Sequence, residues 1–218
     1  MRLDGSASGW LRGLLQPPYG TSLTAVILAV AAFGAVVVLH IVRTDLDPVS
    51  HVLSEYANGG HGVIMTAVFY GTGLASVALG WRLRSALDWH GATVAAPALL
   101  LLAGVSLIAG GVFEVGLPEA PESMAEAIHS YASIGAFVLL VTAMLLLAWA
   151  CTYDARWRTY RPVATVLAAT AAIAAAISPL ADRTPWPGVA QRTLGGTVLL
   201  WTLLTALRVR ANAFRPRG

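Results

Sequence analysis

The chain has 218 residues, of which 57% are hydrophobic and 11% are charged, and its mean hydropathy is +0.70. Soluble domains carry about 25% charged residues, so this composition excludes an ordinary soluble protein and indicates a protein of the bilayer, with membrane lipids as partners. The basic residues are arginines at the ends of apolar runs. They form no basic face with interleaved aromatic residues, so nucleic acid is not an expected partner. The single cysteine, Cys151, excludes an intramolecular disulfide and a cysteine-based metal cage.

Six apolar runs follow one another along the chain, each long enough to cross about 30 Å of hydrocarbon at about 1.5 Å per residue. Unpaired backbone groups cost several kcal/mol each in lipid, so these runs must be helical. The sequence therefore predicts a single all-α membrane domain over residues 1–218, with transmembrane helices at about 22–42, 63–81, 92–113, 127–150, 162–180 and 189–207. Their many small residues predict close helix packing. We interpret Gly110-Gly111 and Gly195-Gly196 as such contacts.

The connection between the first two predicted helices, residues 47–60, has its own helical pattern. Asp47 is a favourable N-cap, Pro48 suits a first helical turn, and Asn58-Gly59-Gly60 is a stop signal. At about 100° per residue, the polar and apolar side chains of this segment separate completely onto two faces. The polar face consists of Ser50, His51, Ser54, Glu55 and Asn58. The pattern predicts a short extracytoplasmic amphipathic helix whose polar residues are neighbours on one surface.

The distribution of arginine predicts the orientation in the membrane. Eleven of the 14 arginines lie in the N-terminal segment, the second and fourth loops and the C-terminal tail. The other three, Arg43, Arg183 and Arg192, lie on the opposite face. Cytoplasmic loops carry an excess of basic residues. Both termini are therefore expected in the cytoplasm, and segment 47–60 is expected outside.

Most other ionisable side chains concentrate near the predicted outer boundary, where they are expected to converge on one polar pocket. Ionisable residues in membrane segments usually face the bundle interior and mark sites. The candidate catalytic residues are Ser54, Glu55 and His129. The candidate ligand-binding residues are Ser50, His51, Glu114, Gln191 and Arg192. Arg192 lies about a turn inside the last helix, so we expect it to pair with a buried acid such as Glu55 or Glu114, or with a ligand anion.

Other interpretations of these residues stay open. His40, His51, His61 and His129 are candidate zinc ligands, although no HExxH motif is present. Ser54, His129 and an acid offer the groups for acyl transfer, without the GxSxG motif of the α/β-hydrolases. Polar residues at helix ends, such as Glu126 and Asp182, also reach the lipid headgroups without any further role. The sequence assigns no cofactor and leaves open whether the protein is an enzyme.

Four stretches together resemble a known family. They are DPVSHVLSEYA after the first helix, GVFE at the end of the third, IHSYASIGAF at the start of the fourth and GVAQRTLGGTVLLWTLL in the sixth. They are similar to the six-helix prokaryotic membrane proteins with domain of unknown function 998, over about Ala25 to Arg208. The resemblance implies that Ser54-Glu55, His129, Gln191-Arg192 and Trp201 match the specific positions of the family. It also implies the prokaryotic inner (plasma) membrane, and it supplies no activity.

Members of that family often carry an aspartate a few residues beyond the phenylalanine that ends the third helix, where this chain has Glu114 and Glu119. A fainter similarity links the chain to the six-helix DRAM-type membrane proteins, which are associated with lipid handling. It rests on the Ser-containing acidic loop after the first helix and on the polar start of the fourth, and it is an analogy of fold.

These features predict a protein that binds or modifies a lipid headgroup or a small polar ligand in an outward-facing pocket. Glu55 or His129 is the expected proton-transfer group, and Arg192 the expected partner of an anion. Two alternatives stay open: a transporter of a small solute, and a non-catalytic assembly or sensory subunit. The inner halves of the helices carry almost no charge, which argues against a transport path for a polar solute.

Overall fold

The computed structural model describes residues 20–87, 91–113, 123–181 and 183–213. In these ranges the regular structure consists of six long helices and one short 3₁₀ helix. In chain order they are α1 (Gly20–Val42), the 3₁₀ helix (Leu53–Ala57), α2 (Gly62–Leu83), α3 (Gly91–Val112), α4 (Met124–Ala150), α5 (Arg161–Ala181) and α6 (Pro187–Ala213).

All six long helices are apolar and long enough to cross a membrane. They contain 21 to 27 residues, enough for about 30 Å of hydrocarbon at about 1.5 Å per residue. Side chains near their middles, such as Val105, Ile134 and Val166, are more than 60% exposed in the isolated chain, as expected for surfaces that face lipid. The prediction of an all-α multi-pass membrane protein is confirmed.

The ends of two helices differ from their predicted positions. α4 begins at Met124 rather than 127, because the hydroxyl of Ser123 accepts a hydrogen bond from the backbone N–H of Glu126 at 3.1 Å and caps the helix there. α6 runs from Pro187 to Ala213 rather than from 189 to 207. Apolar composition marks the part of a helix that lies in lipid, whereas caps decide where the helix itself begins and ends.

The six helices form a closed ring in chain order. Each helix packs against the next one, and α6 returns to α1, while α2 also contacts α6 across the ring. The 3₁₀ helix lies against α2 and α6. The connection from α1 to α2 therefore covers one end of the bundle, which is called the loop end below. The loop end also holds the C-terminal ends of α3 and α5 and the starts of α4 and α6.

Glycines allow close contact between α2 and α3. A Cβ added to Gly73 would lie 2.7 Å from the carbonyl oxygen of Gly104, and one added to Gly80 would lie 2.8 Å from that of Pro97. No real Cβ tolerates such distances, so the two backbones touch directly. A Cβ added to Gly111 would likewise lie 2.8 Å from the Cβ of Phe69. The predicted close packing through small residues is confirmed here.

The prediction of an amphipathic helix over residues 47–60 is wrong. The segment forms a turn at 48–50, an extended residue at Val52 and then the 3₁₀ helix Leu53–Ala57. The predicted ends are present: the carboxylate of Asp47 accepts hydrogen bonds from the backbone N–H groups of Val49 and Ser50, both at 3.3 Å, and Gly59 has φ +83°.

Contacts with α6 explain why no continuous helix forms. The backbone N–H of Gly188 donates to the carbonyl of Val49 at 2.9 Å, and Arg192 donates to the carbonyl of His51 at 2.6 Å. The backbone N–H of Ser54 donates to the side-chain oxygen of Gln191 at 3.2 Å. An α-helix would use these same groups for its internal i to i−4 bonds. The first two turns of α6 therefore take over the backbone bonding of the segment.

Candidate functional site

Arg192 lies in the second turn of α6 and connects three elements at the loop end. Its Nε donates to Nε2 of His40 on α1 at 2.8 Å. Its Nη1 donates to the carbonyl of His51 at 2.6 Å and to that of Gly188 at 3.2 Å. Its Nη2 is buried and has no hydrogen-bond partner. The expected partner Glu55 is not bonded to it, and no carboxylate among the described residues pairs with this guanidinium.

The hydrogen bonds of His40 define its protonation state. Nδ1 lies 2.7 Å from the carbonyl oxygen of Val36, which can only accept, so Nδ1 carries the hydrogen. Nε2 receives the Nε–H of Arg192, so Nε2 must present its lone pair. His40 is therefore the neutral Nδ1–H tautomer in this structure. Both ring nitrogens are used, which leaves no nitrogen for a metal ion.

Tyr56 lies at the centre of the cationic groups and is fully buried. The guanidinium carbon of Arg192 is 5.1 Å from the centre of its ring and that of Arg43 is 5.8 Å away, within the range of cation–π contacts. The ring of His40 lies 5.3 Å away, centre to centre. The hydroxyl of Tyr56 donates to the carbonyl of Leu46 at 3.0 Å. Sequence reasoning missed this residue, because Tyr56 is not part of the polar face predicted for segment 47–60.

Arg43 organises the start of the connection and has no free donor nitrogen. Nε and Nη2 bind the carboxylate of Asp45 at 2.9 and 2.8 Å, and Nη1 donates to the carbonyls of Tyr56 and Asn58. The hydrogen bonds from Arg43 hold the pKa of Asp45 below its usual value. Sequence reasoning used Arg43 only for orientation. Its place on an arginine-poor face was the signal that a partner existed. Unlike Arg192, it is saturated, which indicates a structural role.

An apolar cavity of about 230 Å³ lies beneath Arg192, between α1, α2, α4 and α6. It is called the Arg192 cavity. Among the described residues its wall is apolar except for His40, Thr72 and Arg192 itself. The apolar side chains of the wall include Val36, Leu53, Met65, Phe69, Leu140 and Leu199. Arg192 thus lines an apolar cavity, and its guanidinium carries a buried N–H group, Nη2, that has no partner.

The pair Gly195-Gly196 belongs to this cavity. A Cβ added to Gly196 would meet nothing within 4 Å, and one added to Gly195 would meet only the side chain of Leu53, at 3.9 Å. Both glycines line the cavity. The interpretation of this pair as a close helix contact is therefore wrong. The missing side chains leave open space, whereas at Gly110-Gly111 the close contacts are real.

His129 lines a second cavity of about 590 Å³ at the same end, called the His129 chamber. Its Nδ1 lies 2.7 Å from the carbonyl oxygen of Gly110 and therefore carries the hydrogen. The ring of Phe69 meets the imidazole edge to face, with 5.4 Å between centres. Phe69 lines both cavities. The described residues thus form two compartments on either side of Phe69, rather than the one polar pocket that the sequence predicts.

The other predicted site residues lie around the loop end without joining either cavity. Ser50 donates to Asp47 at 2.8 Å, and Nδ1 of His51 is 3.3 Å from the hydroxyl of Ser50. Ser54 and Gln191 are joined through the backbone N–H of Ser54. Glu55 is partly exposed, and its side chain makes no hydrogen bond within the described ranges. Three further predicted polar residues, Glu114, Glu119 and Asp182, lie outside the described residues.

The candidate zinc ligands do not form a cluster. Among the described residues, no group of three or more His, Cys, Asp or Glu side chains lies close enough to hold a metal ion. His40 is bonded to Arg192, His129 faces the other cavity, and His61 is exposed at the start of α2.

The fold and this site define a class: a multi-pass membrane protein of six helices, with an arginine–histidine–tyrosine cluster over an apolar cavity at one end. A family model described as "Protein of unknown function (DUF998)" matches residues 24–208. The chain belongs to this family, as the four sequence stretches predict. No curated protein matches the chain, and no solved structure matches it.

Proposed function

We propose that the Arg192 cavity binds the apolar chain of a membrane amphiphile, with the anionic or hydrogen-bond-accepting end of that molecule against Nη2 of Arg192. The observation that carries the proposal is the buried, unpaired Nη2 at the edge of an apolar cavity. A buried donor without an acceptor costs about 1–3 kcal/mol, and more when it is charged. A carboxylate or phosphate on the ligand removes this cost, which a purely apolar ligand does not.

The size and lining of the cavity fit part of a lipid chain. Its volume is about 230 Å³, whereas an apolar cavity of about 150 Å³ already holds benzene. A small polar solute would leave the apolar wall of Met65, Leu140 and Leu199 without contacts. We therefore favour an amphiphile over a free polar solute, and ligand binding over catalysis. Glu55 and His129 stay candidate proton-transfer groups, and Ser54 stays a candidate catalytic residue.

The arginine distribution supports an orientation with the loop end outside and both termini in the cytoplasm. In this orientation the Arg192 cavity opens toward the outer leaflet of a prokaryotic plasma membrane. The ligand is then a lipid of that leaflet, and the connection through Ser50 and Glu55 borders its head group.

Transport is the second candidate, and one observation favours it. Nε1 of Trp201 and the hydroxyl of Thr202 are buried on α6 beyond the cavity, and neither has a hydrogen-bond partner. Polar groups of this kind offer an amphiphile a path toward the other side. Reconstituted vesicles with a fluorescent fatty acid test it: transport predicts flux that Thr202→Val reduces, and equal flux with and without the protein excludes it.

The binding proposal is tested with palmitate, palmityl alcohol and methyl palmitate, which share one chain and differ in the head. Purified protein in detergent is titrated with each, and binding is followed by native mass spectrometry. Arg192→Gln is expected to lower the preference for palmitate over methyl palmitate by about 10- to 100-fold, the usual worth of a hydrogen bond to a charged group. Arg158→Gln, an exposed arginine at the opposite end, is the control. An unchanged preference in Arg192→Gln contradicts the proposal.

Filling the Arg192 cavity tests where the apolar chain of the ligand binds, separately from its head group. Gly196→Leu places a side chain into open space that lines the cavity, so all three probes should lose binding while the fold is kept. Gly34→Leu, on the exposed face of α1 with equally open surroundings, is the matched control. Retained binding in Gly196→Leu means that the chain lies elsewhere.

A further inference from the structure

The His129 chamber differs from the Arg192 cavity in both shape and chemistry. It reaches the surface of the protein, because Tyr70 and Val112 line it and are 37% and 61% exposed. Its polar groups come from Asn58, Thr66, Tyr70 and His129. Apart from His129, no side chain that can carry a charge at neutral pH lines it among the described residues. The chamber therefore offers polar contacts without a fixed charge.

His129 is held rigidly with one nitrogen free. Nδ1–H donates to the carbonyl of Gly110, and the edge-to-face contact with Phe69 fixes the plane of the ring. His129 is only 5% exposed and lines the chamber, and Nε2 makes no hydrogen bond within the described ranges. In a neutral imidazole, the hydrogen on Nδ1 leaves a lone pair on Nε2 that can accept a hydrogen bond.

We infer that the His129 chamber is a second binding site, for an uncharged head group that bears hydroxyls, such as the sugar of a glycolipid. A hydroxyl of the ligand donates to Nε2 of His129, and further hydroxyls exchange hydrogen bonds with Thr66 and Tyr70 at the rim. An anionic head group finds no cation among the described lining residues, because Arg43, which lies beside Gly59, has every donor nitrogen bonded. The site is independent of the proposal for Arg192.

Diethyl pyrocarbonate tests whether Nε2 is available, because this reagent acylates the free nitrogen of a neutral imidazole. The protein is treated in detergent near neutral pH, and each histidine is followed by peptide mass spectrometry. His129 should react despite its burial, at a rate near that of the exposed His61. His40 should be protected, because both of its nitrogens are bonded. Protection of His129 equal to that of His40 overturns the inference.

The ligand class is tested by protection in lipid nanodiscs of three compositions. Monoglucosyl diacylglycerol should slow the acylation of His129, whereas diacylglycerol and phosphatidic acid in the same base lipid should leave it unchanged. Equal slowing by phosphatidic acid, or none by the glucolipid, overturns the assignment to an uncharged hydroxylated head group. Arg192→Gln should leave the protection of His129 unchanged. A failure of the proposal for Arg192 can therefore be distinguished from a failure of the inference for His129.

Two variants distinguish a binding role of His129 from a structural one. His129→Gln keeps an N–H for Gly110 and an oxygen for the chamber, whereas His129→Phe keeps neither. The affinity for the glucolipid in native mass spectrometry should fall by about three- to tenfold in His129→Phe, the usual worth of one hydrogen bond, and should recover in His129→Gln. His129→Gln should match the thermal stability of a Gly135→Ala control, whereas His129→Phe, which leaves the Gly110 carbonyl without its donor, should melt at a lower temperature. Equal affinity in all variants contradicts the inference.

Discussion

Nε of Arg192 donates to Nε2 of His40 over 2.8 Å, from α6 to α1, across the point where the helix ring closes. His40 is itself held by its own helix through the carbonyl of Val36. The guanidinium is thus fixed at Nε and Nη1, and its rotation is blocked. Nη2 is left without a partner on a side chain that lines the Arg192 cavity. His40 is a positioning residue for Arg192.

Binding of an anionic amphiphile should depend on His40, because Nε2 of His40 is the acceptor that holds Nε of Arg192. His40→Phe removes this acceptor, so the guanidinium loses the bond that fixes its position. Cetyl sulfate, which is anionic at every ordinary pH, should therefore bind about three- to tenfold less tightly to His40→Phe than to the wild type in native mass spectrometry.

The matched variant in this experiment is His40→Gln. Its side-chain oxygen can accept from Arg192, so binding of cetyl sulfate should stay near the wild-type level. Equal binding by His40→Phe and the wild type would contradict the role of His40.

Gly188 is a second point at which α6 and the connection depend on each other. A Cβ added there would lie 2.5 Å from the carbonyl oxygen of Pro48 and 2.6 Å from Nη1 of Arg192, and it would also clash with the carbonyl of His51. Gly188→Ala is expected to lower the free energy of unfolding by about 1–3 kcal/mol, as overpacking does, and to weaken palmitate binding.

Thermal unfolding in detergent checks this, with Gly135→Ala as the control. Gly135 is also helical, and a Cβ there meets nothing within 4 Å. Alanine is favoured over glycine inside helices by about 0.5–1 kcal/mol, so the control should be neutral or slightly stabilised. A stable Gly188→Ala protein would mean that the connection is not docked on α6.

The membrane part of the fold follows from composition because lipid leaves the backbone no alternative to the helix. The connection was not predictable in the same way. The helical pattern of segment 47–60 is genuine, but Gly188, Gln191 and Arg192 take over the backbone groups that would have closed its turns. These partners lie more than 130 residues further along the chain, and periodicity carries no information about them.

The candidate site, too, could be predicted from the sequence only in part. Arg192 and His129 were identifiable because charged or titratable groups inside membrane helices need a reason to be there. The separation of Arg192 from His129 by Phe69 could not be identified from the sequence, since it depends on which face of each helix turns inward. The cavity beneath Arg192 rests on Gly195-Gly196, and a glycine pair indicates either close contact or open space. Only the positions of the neighbouring helices distinguish the two.

Acid should destabilise the connection through Asp45. Its pKa lies below the ordinary value because Arg43 donates to its carboxylate, so the unfolded chain binds a proton more readily than the folded one. The stabilisation is present above the unfolded pKa and is lost as the pH falls through the lower folded pKa. Between about pH 5 and pH 3, the melting temperature should fall more steeply in the wild type than in Asp45→Asn. If the melting temperature fell equally with pH in the wild type and in Asp45→Asn, Asp45 would be excluded as the source of the acid sensitivity.

Cys151 should resist alkylation in the folded protein. It follows the last residue of α4, is fully buried, and burial raises the pKa of its thiol to about 12, with the nearby Asp154 adding to the shift. The thiolate is the reactive form, so at neutral pH a maleimide should label the protein only after denaturation in SDS. Rapid labelling of the native protein would show that the turn after α4 opens.

The protected thiol makes the native chain a suitable background for testing orientation. Ser50 is exposed at the loop end and Arg158 is exposed at the opposite end, so Ser50→Cys and Arg158→Cys place reactive thiols on the two sides. With the loop end outside, a membrane-impermeant maleimide added to intact spheroplasts should label Ser50→Cys, and Arg158→Cys should react only after permeabilisation. The reverse pattern would move the Arg192 cavity to the cytoplasmic leaflet. It would also mean that the arginine excess does not set the topology of this chain.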